Sequence, residues 1–352
     1  MAIRIAINGF GRNGRAFLRE AKRRGVDFNF AAINDVVNPS LLAANLRFDS
    51  VHGAYPKSQV KITEDREKRP VLAFGDDHIR LLGEKDNDAL PWKELGVDVV
   101  FDTTGAWKTR EKTEAHLRAG AKKVIVFPPP PFAVDATVVK GVNDSTLTGK
   151  EKVISAGSCT TNAVAPLAKL LDDAFGIEML FITSVHAFTS DQRLLDFPHS
   201  DVRRSRAAGL SIIPTTTGAA RAVELVLPSF KGRLFASAHR VPIPDGSICD
   251  LQFSTKQPVD ADPAKAVAKI NEVIAAAAAG PYQGVIEYST DPLVSVDVMG
   301  NPHSAIFDAE LTQAIDNTFF KVSAWFDNEI GYANRVIDLI LKLDSLGPKV
   351  WS

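Results

Sequence analysis

Residues 3–35 read IRIAINGFGRNGRAFLREAKRRGVDFNFAAIND, and this stretch decides the fold of the first third of the chain. "IRIAINGF" alternates as a strand does, and "RNGRAFLREAKRRG" then puts Phe17, Leu18 and Ala21 on one helical face before Gly25 supplies a stop. "FNFAAIND" is a second strand. Between the first strand and the helix lies Gly9-Phe10-Gly11-Arg12-Asn13-Gly14, a G-x-G-x-x-G turn, and Asp35 stands 21 residues after Gly14. In that context glycines let the backbone approach a pyrophosphate, the helix N-terminus supplies N–H groups, and the carboxylate accepts from ribose hydroxyls. A carboxylate at 35 repels a 2′-phosphate, so NAD is expected over NADP. The bland alternatives are a plain structural turn for the glycines and a turn residue for Asp35.

The same rhythm continues outward. "QVKIT" and "PVLAFGDDHIRLL" predict a small hairpin, after which "DVVFDTTG", a helix around "TREKTEAHLRAG" and "KKVIVF" resume the β-α-β order of a parallel sheet to about residue 155. Beyond Cys159 the texture changes. A helix is expected over "TTNAVAPLAKLLDDAFG", kinked at Pro166 or regular only beyond it. "EMLFITSVHAF", "RLFASAHRVPIPDGSICDLQFST", "GVIEYST", "LVSVDVM", "SAIFDAEL" and "TFFKVSAWFDN" then read as period-two strands of an antiparallel sheet with one covered face. Asp262-Pro263 opens an alanine-rich helix, and a last helix carries Val336, Ile337, Ile340 and Leu341 on one stripe. The fold class is α/β plus α+β: a Rossmann-type dinucleotide domain followed by a mostly antiparallel-sheet domain.

Composition removes several classes of function. With 352 residues, 45% hydrophobic and 24% charged, the chain has room for two ordinary domains. Its 41 basic and 42 acidic side chains leave no electrostatic footprint for nucleic acid or an anionic membrane. The longest apolar run, "VIAAAAAG" at Val273–Gly280, is too short to span a bilayer. Two cysteines make neither a disulfide framework nor a structural zinc site, so a cytoplasmic protein without a metal is expected.

"SAGSCTTN" places Cys159 at the expected start of a helix, where N–H groups and the helix dipole favour an anion and a lowered thiol pKa. A buried small side chain beside a serine cap is the competing explanation, and it suits Cys249 inside "SICDLQF". His186, ending the strand "LFITSVHAFTSD", is placed to take the thiol proton. "DQRLLDFPHSDVRRSR" is a long irregular segment, either a solvated loop or a functional one. Arg206 and Arg240, with Thr160, Thr189 and the "TTTG" at 215–218, supply the forked donors and hydroxyls that a phosphate needs, although any one arginine suits a surface ion pair.

Taken together, "AINGFGRNGR", "DSVHG", "GAKKVIV", "SCTTN", "VHAFTSDQRLLDFPHSDVRRSRAAGLSIIPTTTGAA", "RVPIP" and "WFDNEIGYANRV" resemble the phosphorylating glyceraldehyde-3-phosphate dehydrogenase family over essentially the whole chain. The resemblance implies NAD-dependent oxidative phosphorylation of D-glyceraldehyde 3-phosphate through a cysteine thiohemiacetal and a thioacyl intermediate. It implies Cys159 as nucleophile and His186 as base; Thr189, Asp191 and Arg240 for the substrate phosphate; and Ser158, Thr160, Arg206, Thr217 and Gly218 for the attacking phosphate. For NAD it implies Gly9, Phe10, Gly11, Arg12, Asn13, Gly14, Asp35, Lys85 and Thr104, with Asn328 orienting the nicotinamide carboxamide. It further implies a homotetramer, an NAD-binding domain at 1–157 and 329–352, a catalytic domain at 158–328 and an S-shaped loop at about 188–211.

Seven positions depart from the family's usual residues: Asn13, Phe127-Pro128, Gly157, Ala163, His239 and Ile330. Asn13 and the Phe127 loop border the expected cofactor pocket, where one lost apolar contact or hydroxyl weakens affinity roughly tenfold. Erythrose-4-phosphate dehydrogenase is the nearest rival, set back by Thr189-Ser190-Asp191, which keeps the three-carbon family's pattern. A non-catalytic binding protein on the same scaffold, or a thiol hydrolase, are the rivals from other classes.

Overall fold

The computed structural model describes residues 2–351, which form two compact units. One holds the chain up to Val138, Thr146–Gly157 and the chain from Val336 on; the other holds Val139–Ser145 and Ser158–Arg335. Residues 139–145 and 329–335, expected with the first unit, group with the second. Arg335 gives a local reason, since its Nη1 donates to Gly284 O at 2.8 Å and to Ser304 Oγ at 3.1 Å.

The first unit is built on a nine-stranded sheet. Its spatial order is Ala136–Thr137, Val153–Ser155, Lys123–Val126, Val99–Asp102, Ile3–Asn8, Phe28–Asn34, Asp77–Leu82, Pro70–Phe74 and Val60–Glu64. The first seven pair in parallel, and the last two close an antiparallel edge. Ile5, Ile7, Val99, Val100 and Phe101 are fully buried, as strands covered on both faces require. The helix Arg12–Arg23 buries Phe17 edge-on against Phe101, with ring centroids 5.0 Å apart, and Phe30 and Phe28 extend the cluster. Full burial of such a ring contributes about 2–3 kcal/mol, which holds this helix against the strands Phe28–Asn34 and Val99–Asp102.

The second unit carries a seven-stranded sheet in the order Ile213–Thr215, Leu234–Val241, Ile177–Ala187, Ser247–Thr255, Phe319–Phe326, Ala305–Ala314 and Ile286–Ser289. Four of its six pairings are antiparallel and two are parallel. The helices Cys159–Phe175 and Pro263–Ala278 bury Val164, Leu167, Leu171, Ile270 and Ile274 together with Leu251, Phe253, Phe307 and Phe320 of the strands.

Three local expectations change. The helix Cys159–Phe175 runs unbroken through Pro166. A proline inside a helix costs about 3 kcal/mol or more, and the complete burial of Ala163, Val164, Ala165, Leu167 and Ala168 around it opposes that cost. "LVSVDVM" at 293–299 is a series of turns with Val294 and Val296 exposed, since no neighbouring strand takes its hydrogen bonds. In the last helix, Ile330–Ser345, the buried stripe is Val336, Ile337, Ile340 and Leu343, whereas Leu341 faces solvent.

Candidate functional site

The glycine turn has the close approaches that its sequence predicts. Gly9 has φ +88°, and a Cβ there would meet Thr104 N at 3.0 Å; at Gly14 a Cβ would meet the Gly9 carbonyl oxygen at 2.4 Å. Neither position accepts a side chain, so the helix begins directly against the turn. Gly11 caps that helix with no side-chain acceptor, and space is open beside it. A helix N-terminus without a capping side chain suits an anion. Asp35 Oδ2 accepts from Phe10 N at 2.7 Å and Oδ1 from Val37 N at 3.0 Å, which clamps the end of the second strand to the turn. Thr104 N and Oγ1 both donate to Asp102 Oδ1, at 2.9 and 2.7 Å. Arg12 donates to Asp49, Asn13 is half-buried in the first helical turn, and Phe10 is buried. Lys85 is exposed in the loop where Glu84 exchanges hydrogen bonds with Asn34. This cradle, with no room for side chains at Gly9 and Gly14 and an uncapped helix start at Gly11, fits a dinucleotide.

By sequence His116 has an ordinary helical setting, but the structure buries it completely. Trp92 Nε1 donates to its Nδ1 at 3.0 Å, so the ring carries its proton on Nε2 and gives it to Asp102 Oδ2 at 3.0 Å. The same carboxylate that holds Thr104 is thereby fixed from behind.

In the second unit, Ser158 caps the helix Cys159–Phe175: its Oγ accepts from Thr161 N at 3.1 Å. Cys159 is thus the first helical residue, with the Thr160 N–H and hydroxyl also directed at its sulfur. His186 is carried in by the strand Ile177–Ala187, whose parallel register sets it beside Arg240. Cys159 Sγ lies 3.4 Å from His186 Nε2, and His186 Nδ1 lies 2.7 Å from the Ala187 carbonyl. With the Nδ1 proton given to that carbonyl, Nε2 presents its lone pair to the thiol. Arg240 Nη1 reaches the Ala187 carbonyl at 3.0 Å, while its buried Nε has no partner among the described residues.

Burial is the largest influence on both members of the pair: it pushes the Cys159 thiol up and the His186 imidazole down to about 3. The Arg240 guanidinium comes second, drawing the thiol down and the imidazole further down. Cys249, fully buried with its thiol pushed up to about 12, has the structural role expected for it.

The phosphate candidates divide. Arg240 lies within electrostatic reach of Cys159 and Asp191. Thr189 N donates to Gln192 Oε1 at 3.3 Å, Thr217 Oγ1 accepts from Ala219 N at 3.1 Å, and Gly218 begins the helix Ala219–Val226 with open space beside it. Arg206 does not join them. Its guanidinium bonds Asp196 at 2.9 Å with both side chains exposed. Arg204 stands there instead, donating to Asp191, to Thr215 Oγ1 at 2.6 Å and to the Thr216 carbonyl at 3.1 Å. Spacing alone could not choose among the arginines of Arg203-Arg204-Ser205-Arg206, because the choice depends on which side of one short helical turn faces the "TTTG" strand. Sequence reading also missed Tyr332, fully buried, whose phenol is pushed well up by burial and then by Cys159. Asn328, two residues beyond the strand Phe319–Phe326, is buried, with Oδ1 2.8 Å from Ser247 Oγ.

A dinucleotide cradle on a parallel sheet, and a thiol held against an imidazole on a mixed sheet, define the class: a nicotinamide-dependent dehydrogenase equipped with a cysteine. The comparisons with known proteins narrow it. Residues 3–110 match the glyceraldehyde 3-phosphate dehydrogenase NAD binding domain, and residues 158–328 match the C-terminal domain of the same enzyme. The chain is 46% identical to glyceraldehyde-3-phosphate dehydrogenase 1 of Streptomyces avermitilis over 342 residues, covering 97% of this chain and 98% of that one. It is also 46% identical to the glyceraldehyde-3-phosphate dehydrogenases of Mycobacterium avium and Borreliella burgdorferi, covering 97% of this chain and 98% and 99% of theirs. The chain belongs to the glyceraldehyde-3-phosphate dehydrogenase family, and its cofactor is NAD.

Proposed function

We propose that the protein carries out NAD-dependent oxidative phosphorylation of D-glyceraldehyde 3-phosphate to 1,3-bisphosphoglycerate. The observation that carries this reading is the 3.4 Å contact between Cys159 Sγ and His186 Nε2 at the start of a buried helix.

Cys159 Sγ adds to the aldehyde carbon while its proton passes by way of His186 Nε2 to the carbonyl oxygen, giving a thiohemiacetal bound to the enzyme and leaving the imidazole neutral. Arg240, Thr189 and Asp191 hold the substrate's own phosphate. That dianion cancels the field of Arg240 at the imidazole, so His186 becomes a stronger base once the substrate is seated. His186 then takes the hydroxyl proton of the thiohemiacetal as the carbon is oxidised. NAD, held by Gly9–Gly14, Asp35, Lys85, Thr104 and Asn328, supplies the hydride acceptor. Inorganic phosphate, held by Ser158, Thr160, Thr217, Gly218 and Arg204, attacks the thioacyl carbonyl; the C–S bond breaks, the acyl phosphate leaves, and the proton held on His186 returns to the Cys159 sulfur.

The first unit serves as the cofactor domain and the second as the catalytic domain. The S-shaped loop exposes Leu194, Leu195, Phe197, Val202, Leu210 and Ile212, with Leu194 at 85% exposure. Apolar side chains so exposed along one irregular segment suit contact with further copies of the chain, and the assembly is a homotetramer. No helix among the described residues is long and apolar enough to cross a membrane, and the proposed compartment is the cytoplasm.

Steady-state NADH formation with and without inorganic phosphate tests the reaction, using the three-carbon and four-carbon aldehyde phosphates in parallel. Turnover is expected with glyceraldehyde 3-phosphate and dependent on phosphate. Preference for the four-carbon aldehyde, or indifference to phosphate, overturns the proposal.

A further inference from the structure

Ser247 opens the strand Ser247–Thr255 and is completely buried. Its hydroxyl accepts from Ala187 N at 3.1 Å and lies 2.8 Å from Asn328 Oδ1. A serine hydroxyl has one proton to give. Its other neighbour here is an N–H donor, so the buried proton goes to the Asn328 oxygen. This fixes which end of the Asn328 amide points inward. Nδ2 is then the end turned away from Ser247, and it makes no hydrogen bond to any described residue. The Asn328 backbone is held as well, its N–H donating to Asp245 Oδ1 at 3.3 Å.

The other end of this chain of bonds is the base. Ala187, whose N–H ends on Ser247, presents its carbonyl to His186 Nδ1 at 2.7 Å. One path thus runs from His186 Nδ1–H to the Ala187 carbonyl, and from the Ala187 N–H through the Ser247 hydroxyl to Asn328 Oδ1.

We infer that Ser247 is a positioning residue: it sets the Asn328 amide so that its N–H2 end is offered to a carbonyl oxygen of the nicotinamide carboxamide, in register with the strand end that carries His186. This rests on the proposed NAD-dependent reaction and adds a residue that touches neither substrate nor cofactor.

The test compares two ligands by calorimetry on the purified full chain. NAD carries the carboxamide and ADP-ribose lacks it. Ser247→Ala is expected to weaken NAD about three- to tenfold, the worth of one neutral hydrogen bond, and to leave ADP-ribose affinity unchanged. Ser247→Thr, which keeps the hydroxyl, is expected to restore NAD affinity. In an Asn328→Ala background, Ser247→Ala is expected to change NAD affinity no further. Equal weakening of both ligands, or an undiminished Ser247→Ala effect without Asn328, would make Ser247 merely structural and overturn the inference. Unchanged NAD affinity in Ser247→Ala overturns it too. The functional proposal is judged separately, by wild-type turnover.

Discussion

Arg240 Nη1 stands 2.9 Å from His186 Nδ1, across the ring from the Nε2 that meets Cys159. A cation there opposes a second one on the imidazole and favours a negative charge on the sulfur; burial, the larger influence, outweighs it at the thiol and reinforces it at the ring. Replacing it with leucine removes the attraction for the thiolate. Arg240→Leu is expected to move the pH profile of Cys159 alkylation to higher pH. It is also expected to raise KM for the aldehyde phosphate about tenfold or more, the cost of one charge-assisted contact. Iodoacetamide rates across pH check the first effect and steady-state kinetics the second.

Arg204 and Arg206 make opposite predictions although one residue separates them. Arg206 and Asp196 form an exposed pair worth about 0–1 kcal/mol, so Arg206→Ala should leave KM for phosphate close to wild type. Arg204→Ala removes the donor shared by Asp191, Thr215 and the Thr216 carbonyl, and KM for phosphate should rise about tenfold. Phosphate saturation curves of both variants decide which arginine serves the site.

At Gly14 a methyl group would stand 2.4 Å from the Gly9 carbonyl oxygen and 3.1 Å from an Ile7 methyl. The helix must move off the turn to admit it, at roughly 1–3 kcal/mol. Gly14→Ala should lower the thermal midpoint and weaken NAD binding, because the anion-facing N–H groups move with the helix. Calorimetric titration with NAD measures the second effect.

Asp245 is buried beside Asp327 and Glu329; burial, then those two charges, push its carboxyl up to about 8. Unfolded, the same group titrates near 3.9, so the folded protein holds the proton more tightly. Its contribution to stability is complete below pH ~4 and is lost as pH rises through about 8. In the Asp245→Asn variant the amide oxygen would still accept from the Gly246 and Asn328 N–H groups, and the side chain would not ionise. Asp245→Asn should therefore raise the thermal midpoint more at pH 8 than at pH 5, and equal shifts at both would contradict this assignment.

Much of the site was legible in the sequence because it sits where periodicity changes. The glycine turn lies where period two gives way to a helix, Cys159 where the next helix starts, and His186 where a strand ends. Long-range register was not legible. Ser247 meets Asn328 across 81 residues only because their strands pair Ser247 with Phe326. The choice of Arg204 over Arg206 depends on the facing of a three-residue turn. Pro166 and "LVSVDVM" misled for different reasons: core packing kept a helix that local rules would break, and the absence of a partner strand among the described residues left an alternating segment in turns.

The central claim is that the oxidised substrate is carried on Cys159 until phosphate removes it. Acid-quenched protein, incubated with NAD and glyceraldehyde 3-phosphate but no phosphate, can be digested and weighed by mass spectrometry. An acyl group on the Cys159 peptide, absent from Cys249 and discharged when phosphate is added before quenching, is the predicted result. NADH formation with no acyl group on Cys159 would contradict the account.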